Sequence, residues 1–234
     1  MTHPNPTSIS DGTKVMLLGD VHRQFEDVTR LIEAQRPSLI LQVGDLGYWP
    51  KKERRILRDG TVLGGTLDTL GIPLHFCDGN HEDHAALRAL EALEVFPNVF
   101  YQPRGSLLTL PDGRKVLFAG GARSIDREYR VVGEDWFAEE VLREHELEGF
   151  PDTEVDIVVS HTAPREFDPL DLCHRDRDPS RICLSWVLHR MRPKLWVFGH
   201  FHRQACGEWH GVKWISLGMA GQPQWWQWLP GRET

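Results

Sequence analysis

Five short apolar runs along the chain end in a residue able to hold a metal ion or a proton. They are Val15–Leu18, followed by Gly19-Asp20-Val21-His22; Leu39–Val43, followed by Gly44-Asp45; Leu74–Cys77, followed by Asp78-Gly79-Asn80-His81; Ile157–Ser160, followed by His161; and Leu195–Phe198, followed by Gly199-His200-Phe201-His202. Nearly continuous Val, Leu, Ile and Phe over such lengths, bounded by glycine, predicts strands covered on both faces. In open α/β sheets the ligand crevice lies beyond the carboxyl ends of such strands. The five ends are therefore expected to converge.

Between the first two runs, Phe25–Glu33 places Val28, Leu31 and Ile32 on one helical face, and Pro37 ends that helix. The stretch 51–70 is irregular, with glycines at 60, 64 and 65, and supports one charged helix at 51–58. Leu87, Leu90 and Leu93 predict a helix over 82–93 with Glu82 and Asp83 in its first turn. Asn98–Tyr101, Leu107–Leu110 and Lys115–Ala119 then follow as consecutive strands, the last two joined by a Pro111-Asp112-Gly113 turn, as if a second sheet began there. Further on come an amphipathic helix at 134–147 with Phe137, Val141 and Leu142 inward, and a charged loop at 162–180. A helix at 181–191 buries Ile182, Trp186 and Val187 or Leu188. Strands at 204–209, 212–217 and 224–229 close the pattern, with His210-Gly211 as a turn.

Length sets the scale: 234 residues fit one domain spanning 1–234, with 1–13 as a polar N-terminal tail lacking a signal-peptide pattern. No run approaches the roughly 18 apolar residues of a membrane helix, so the expected location is the cytoplasm. The four cysteines form no Cys-x-x-Cys pair, which argues against a zinc ribbon or disulfide framework. A net charge of −7 argues against stable duplex nucleic-acid binding. It leaves room for a small anionic substrate if cations sit in the site.

Asp20, His22, Asp45, Asn80, His161, His200 and His202 are too many donors for one ion, since a site takes roughly four to six including water. Two ions about 3.5–4 Å apart would share a carboxylate, and Asp45, the middle ligand, is the candidate bridge. Each motif alone has a plainer reading. Asp-x-His is an ordinary surface pair, Asn80 an N-cap, and His200-Phe201-His202 a pair pointing one way only if the backbone is extended. Together, in this order at strand ends, they point to a metal centre.

In this order, Gly19-Asp20-Val21-His22, Gly44-Asp45, Gly79-Asn80-His81-Glu82, His161 and Gly199-His200-Phe201-His202 resemble the five motifs of the calcineurin-like metallophosphoesterases, over residues 19–202. The resemblance implies an α/β four-layer αββα sandwich, two mixed sheets flanked by helices. It implies Asp20, His22, Asp45 and His202 on one ion, and Asp45, Asn80, His161 and His200 on the other. A hydroxide between the ions would be the nucleophile, and His81 the proton donor or a support for the phosphoryl oxygens. Imidazole, carboxylate and amide donors suit two divalent transition-metal ions, manganese favoured, with iron, zinc, cobalt or nickel as alternatives.

Asp45-Leu46-Gly47-Tyr48-Trp49 departs from the Ser/Thr phosphoprotein phosphatases, which carry a second Asp three residues on. Tyr48 and Trp49 either line a substrate pocket or fill core. Arg123, in the glycine-flanked segment 120–127, is a candidate substrate contact through its fork of donors, with a salt bridge to Asp126 as the alternative. Arg127 and Arg130 are weaker candidates for the same contact and read more simply as solvated charges. Loop 167–181 is either a lid or a solvated loop, with Cys173, His174 and Cys183 as a remote third metal site. Trp225, Trp226 and Trp228 read as sheet packing or as a base-stacking platform. The expected activity is hydrolysis of nucleotide or small phosphodiesters. Phosphomonoesterase action and a non-catalytic protein-binding scaffold are the alternatives.

Overall fold

The computed structural model describes residues 13–50, 54–170 and 178–232. Almost all of the expected N-terminal tail lies outside the described residues, as does 171–177 with Cys173 and His174. The chain runs β1 (Val15–Leu18), α1 (Phe25–Gln35), β2 (Leu39–Gln42), α2 (Arg54–Leu70), β3 (Leu74–Phe76), α3 (His84–Arg88), β4 (Glu94–Phe96) and β5 (Val99–Tyr101). It continues through β6 (Leu107–Thr109), β7 (Lys115–Ala119), β8 (Ile157–Ser160), α4 (Pro179–Met191), β9 (Leu195–Phe198), β10 (Ala205–Trp209), β11 (Val212–Ser216) and β12 (Trp226–Trp228). Two mixed six-stranded sheets result, ordered β12-β1-β2-β3-β5-β4 and β10-β11-β9-β8-β7-β6.

Every residue of β1, β2, β8 and β9 is buried, as the apolar runs predict. Side chains alternate across a strand, and the alternation sorts them into three cores. Met16, Leu18 and Ile40 face α1 and α2; Trp196, Phe198 and Val158 face α4; Val15, Leu17, Leu39, Leu41, Val159 and Val197 meet between the sheets. Three cores separate four layers, helix, sheet, sheet and helix. Each large apolar side chain buried contributes roughly 1.5–3 kcal/mol, so a one-residue slip of any central strand would exchange two cores at once.

Several local expectations give way to tertiary contacts. The stretch 54–70 is one 17-residue helix despite its glycines. A Cβ on Gly60 would collide with the Phe96 ring and one on Gly64 with Pro97, so those two glycines are where β4 and Pro97 press on α2. The helix expected over 82–93 shrinks to His84–Arg88; Asp83 caps it through Ala86 N–H, and Glu82 lies before it. Over 134–149 the backbone forms only short 3₁₀ turns, at Ala138–Glu140 and Glu144–Gly149, although Phe137, Val141 and Leu142 are buried as expected. The reason is Arg104, whose guanidinium takes the carbonyls of Glu139, Glu140 and Val141 that an α-helix would use internally.

The inward face of α4 is Cys183, Leu184, Val187 and Leu188, while Ile182 and Trp186 are exposed. The second sheet starts at β6 and not at Asn98, because β5 still pairs in parallel with β3. Finally β12 crosses back and pairs antiparallel with β1, leaving Trp225, Trp226 and Trp228 half-buried against the α1 side as sheet packing. No helix among the described residues is long and apolar enough to cross a membrane.

Candidate functional site

The loops after β1, β2 and β3 in one sheet and after β8 and β9 in the other meet at one end of the sandwich. Four of the side chains they carry, Asp20, His22, Asp45 and His202, offer ligand atoms within 4.8 Å of one another. His202 Nε2 lies 3.2 Å from Asp20 Oδ2, His22 Nε2 lies 3.4 Å from Asp45 Oδ2, and the two Nε2 atoms are 2.9 Å apart. A second group adjoins the first. His161 Nε2 lies 3.3 Å from Asp45 Oδ2 and 3.1 Å from Asn80 Oδ1, with the His200 ring edge-on to His161 at 5.0 Å. One oxygen, Asp45 Oδ2, thus faces both groups.

The backbone is bent to allow this. His22, Asp45, His200 and His202 all have positive φ, between 46° and 67°. Non-glycine residues rarely adopt that region, and where they do it often marks a functional site. His200 and His202 are therefore brought to the site by a tight turn and not by an extended segment. Glycines admit the carboxylates: a Cβ on Gly79 would overlap Asp45 Oδ1, and one on Gly199 would overlap Asp20 Oδ1. Asp20 and Asp45 are then held by peptide N–H donors, Asp20 by His200 N–H and Asp45 Oδ1 by His81 N–H at 2.7 Å.

The donor chemistry calls for cations. His161 Nδ1 sits 2.9 Å from the Val43 carbonyl, which only accepts, so Nδ1 carries the proton. In a neutral imidazole the Nε2 lone pair then faces two further acceptors, Asn80 Oδ1 and Asp45 Oδ2. Three converging acceptors need a proton or a metal ion between them. Without a metal the proton is favoured: although burial opposes it, Asp45 raises His161 to about 10, and in return His161 holds Asp45 well below the usual carboxylate range. His202 is likewise raised, chiefly by its hydrogen bond to Asp20.

Beside the cluster, a cleft of about 290 Å³ is lined by His22, Arg23, Gly47, Trp49, His81, Asp126, Arg130 and Asp135. His81 edges His22 at 4.8 Å between ring centroids, and Arg130 Nη2 lies 2.8 Å from His81 Nε2. Burial holds His81 below the usual imidazole range; Asp45 pulls it up and Arg130 pushes it down. Arg130 is itself tied to Asp126 at 2.8 Å. Trp49 Nε1 donates to the His81 carbonyl at 2.8 Å. Glu82 accepts from Gly79 N–H and Gly47 N–H, joining the loops after β2 and β3. Burial, with Asp45 close by, pushes Glu82 well above the usual range.

All seven sequence-derived ligand candidates and His81 meet here. Of the other expected substrate contacts, Tyr48 is packed in the core, edge-on to Phe96. Arg123 is exposed, its main-chain N–H donating to Asp178, beside Ser124. Arg130, in sequence a weaker candidate contact than Arg123 and more simply a solvated charge, lies at the cleft. Ser124 and Glu140 also escape sequence reading, since they reach Asn80 only through the folded chain: Asn80 Nδ2 donates to Ser124 Oγ, and Ser124 donates to Glu140.

Fold and site together define the class, a two-sheet αββα sandwich with a cluster able to hold a metal ion at the carboxyl ends of its parallel strands. The chain belongs to the calcineurin-like phosphoesterases, whose family model matches residues 13–204. Members of that family bind a dinuclear divalent metal centre. Among curated proteins no match is found. Solved structures similar in fold include Thermus thermophilus TT1561, with a TM-score of 0.56 and 16% identity over 89% of this chain and 90% of that one. A dimetal phosphatase from Danio rerio has a TM-score of 0.54 and 13% identity over 92% and 88%. GAP50, described as the anchor in the inner membrane complex of Plasmodium, has a TM-score of 0.51 and 13% identity over 95% and 75%.

Proposed function

We propose that this chain hydrolyses phosphodiesters, of nucleotides or of other small molecules, with two divalent transition-metal ions, manganese favoured. The observation that carries the reading is Asp45 Oδ2, at 3.4 Å from His22 and 3.3 Å from His161, shared by two sets of donors. Asp20, His22, Asp45 and His202 would hold one ion, and Asp45, Asn80, His161 and His200 the other. Bound there, such ions supply Lewis acidity, making water nucleophilic near neutral pH and neutralising phosphoryl oxygens.

The remaining work falls to this chain's own groups. His81, beside His22 and open to the cleft, donates a proton to the departing alkoxide. Its depressed proton affinity is restored as the anionic substrate arrives, because a nearby negative charge favours the imidazolium. Arg130 would donate from its guanidinium fork to a non-bridging phosphoryl oxygen, turning from His81 while Asp126 retains it. The cleft's own cations, Arg23 and Arg130, are matched by Asp126 and Asp135. That balance suits the single charge of a diester better than the dianion of a monoester. The deciding experiment is turnover of bis(p-nitrophenyl) phosphate against p-nitrophenyl phosphate by the manganese-loaded protein, with Asp45→Asn as blank. Faster diester cleavage is expected. Faster monoester cleavage would overturn the diester assignment, and two bound ions without turnover of either would favour a scaffold.

A further inference from the structure

Asn80 is the one ligand candidate whose side chain ends in both an acceptor and a group that can only donate. A side-chain amide offers a carbonyl oxygen at one end and an NH₂ at the other, and only the oxygen can hold a cation. Rotated by half a turn, the same side chain would aim two N–H bonds at the metal. Something must decide between these orientations.

We infer that Ser124 and Glu140 form a proton-directing relay that holds Asn80 Oδ1 toward the second ion, making both positioning residues for that site. The inference rests on the dinuclear reading above. Glu140 is buried and receives two donors from one residue, Ser124 N–H on Oε1 at 2.7 Å and Ser124 Oγ–H on Oε2 at 2.6 Å. A serine hydroxyl has a single proton. Once that proton is committed to the carboxylate, Ser124 Oγ can only accept, and the atom 3.1 Å away must be a donor. That atom is Asn80 Nδ2, so Oδ1 is left to face His161 Nε2 at 3.1 Å, where the second set of donors converges. Turning the amide over would set Oδ1 against Ser124 Oγ with no proton between them.

The relay is anchored at its far end. Glu140 belongs to the turn Ala138–Glu140, whose carbonyls at Glu139 and Glu140 accept from Arg104. Arg104 is also paired with Asp78 at 2.6 Å, two residues before Asn80. The relay and the loop that bears Asn80 are thus held by one buried cation. Ser124 and Asn80 are both buried as well, which removes the water that could otherwise satisfy either amide orientation.

The test is manganese binding to the metal-stripped full-length protein by isothermal titration, with melting curves to establish folding. Glu140→Gln is nearly isosteric but reverses the relay. Its amide oxygen accepts Ser124 N–H and its NH₂ donates to Ser124 Oγ, so the hydroxyl proton turns to Asn80 and draws Oδ1 away from the metal. Expected is a wild type that takes up two ions, and a variant that keeps the first ion and binds the second about 10–100-fold more weakly, the usual cost of losing a group that supports a ligand. Ser124→Ala, which removes the acceptor without adding bulk, should weaken the same ion, with Asn80→Ala setting the largest loss. Confinement of the effect to one ion separates positioning from general damage, since Asp20, His22, Asp45 and His202 are untouched. Two ions at wild-type affinity in folded Glu140→Gln, or in folded Ser124→Ala should the first variant not fold, would overturn the relay. A wild type that binds fewer than two ions would instead overturn the dinuclear reading.

Discussion

At Asp45 the two carboxylate oxygens have different tasks. Oδ1 accepts His81 N–H at 2.7 Å, while Oδ2 faces His22 and His161. Asp45→Asn should keep the first contact and cripple the second, because an amide presents at most one acceptor. Expected is a loss of metal at both positions larger than the roughly 10–100-fold that a supporting residue costs, with turnover falling alongside. Wild-type metal content in the purified variant, measured by elemental analysis, would defeat the shared-ligand role. His81 makes a separate prediction. If it protonates the leaving group, His81→Ala should cost about 10²–10⁴-fold on alkyl phosphodiesters and much less on nitrophenyl ones, whose leaving groups need little help. Equal losses on both would assign His81 to steadying the phosphoryl oxygens instead. Asp20 and Asp45, with the glycines before them, and His161 were legible in sequence because each stands at the abrupt end of an apolar run. Ser124, Glu140 and the place of Arg130 were not, because they act through contacts that no local pattern records: Asn80 reaches Ser124 across 44 positions, Ser124 reaches Glu140 across 16, and Arg130 reaches His81 across 49.

Among the elements, strands and helices differ in how plainly the sequence declares them. A strand packed between two layers must be apolar on both faces, so β1, β2, β8 and β9 stand out as continuous runs. Helices here are overridden by neighbours. Gly60 and Gly64 of α2 read as breakers until Phe96 and Pro97 are seen lying on them, and residues 134–147 have helical periodicity, yet the carbonyls of Glu139, Glu140 and Val141 go to Arg104. Arg104 therefore ties several segments together. It pairs with Asp78 and Glu146 and donates to three main-chain carbonyls, with 6% of its side chain exposed. Replacing it with methionine would leave Asp78 buried without its main partner, which for a broken buried pair costs about 3–5 kcal/mol. Denaturant unfolding of Arg104→Met should show that loss, together with weaker metal binding as the loop bearing Asn80 loosens. A change below about 1 kcal/mol would mean that the network is not what fixes this loop.

For the molecule as a whole, the proposed metal centre would tie stability to pH in opposite directions with and without ions. In the metal-free protein His161 is raised to about 10 by Asp45, and Asp45 is depressed in return. A histidine raised above its unfolded value stabilises fully below about 6.5, and that contribution is lost as pH climbs through about 10. The depressed Asp45 contributes above its unfolded value, near 3.8, and loses that contribution as pH falls through its lower folded value. The metal-free pair is thus strongest in the weakly acidic to neutral range and fades on the alkaline side. Ions reverse the alkaline limb, because His161 and His202 must shed their protons before they can ligate. Loading at pH 7.5 should therefore release protons. Titrations in buffers of different ionisation enthalpy would show a buffer-dependent apparent heat, and the melting-temperature gain from manganese should grow from pH 6 to pH 8.5. Heats independent of buffer, with a gain that is flat across this range, would mean that His161 carries no proton when the ions arrive. The close approach of Nε2 to Asp45 and Asn80 would then be held together by something other than the charge on this ring.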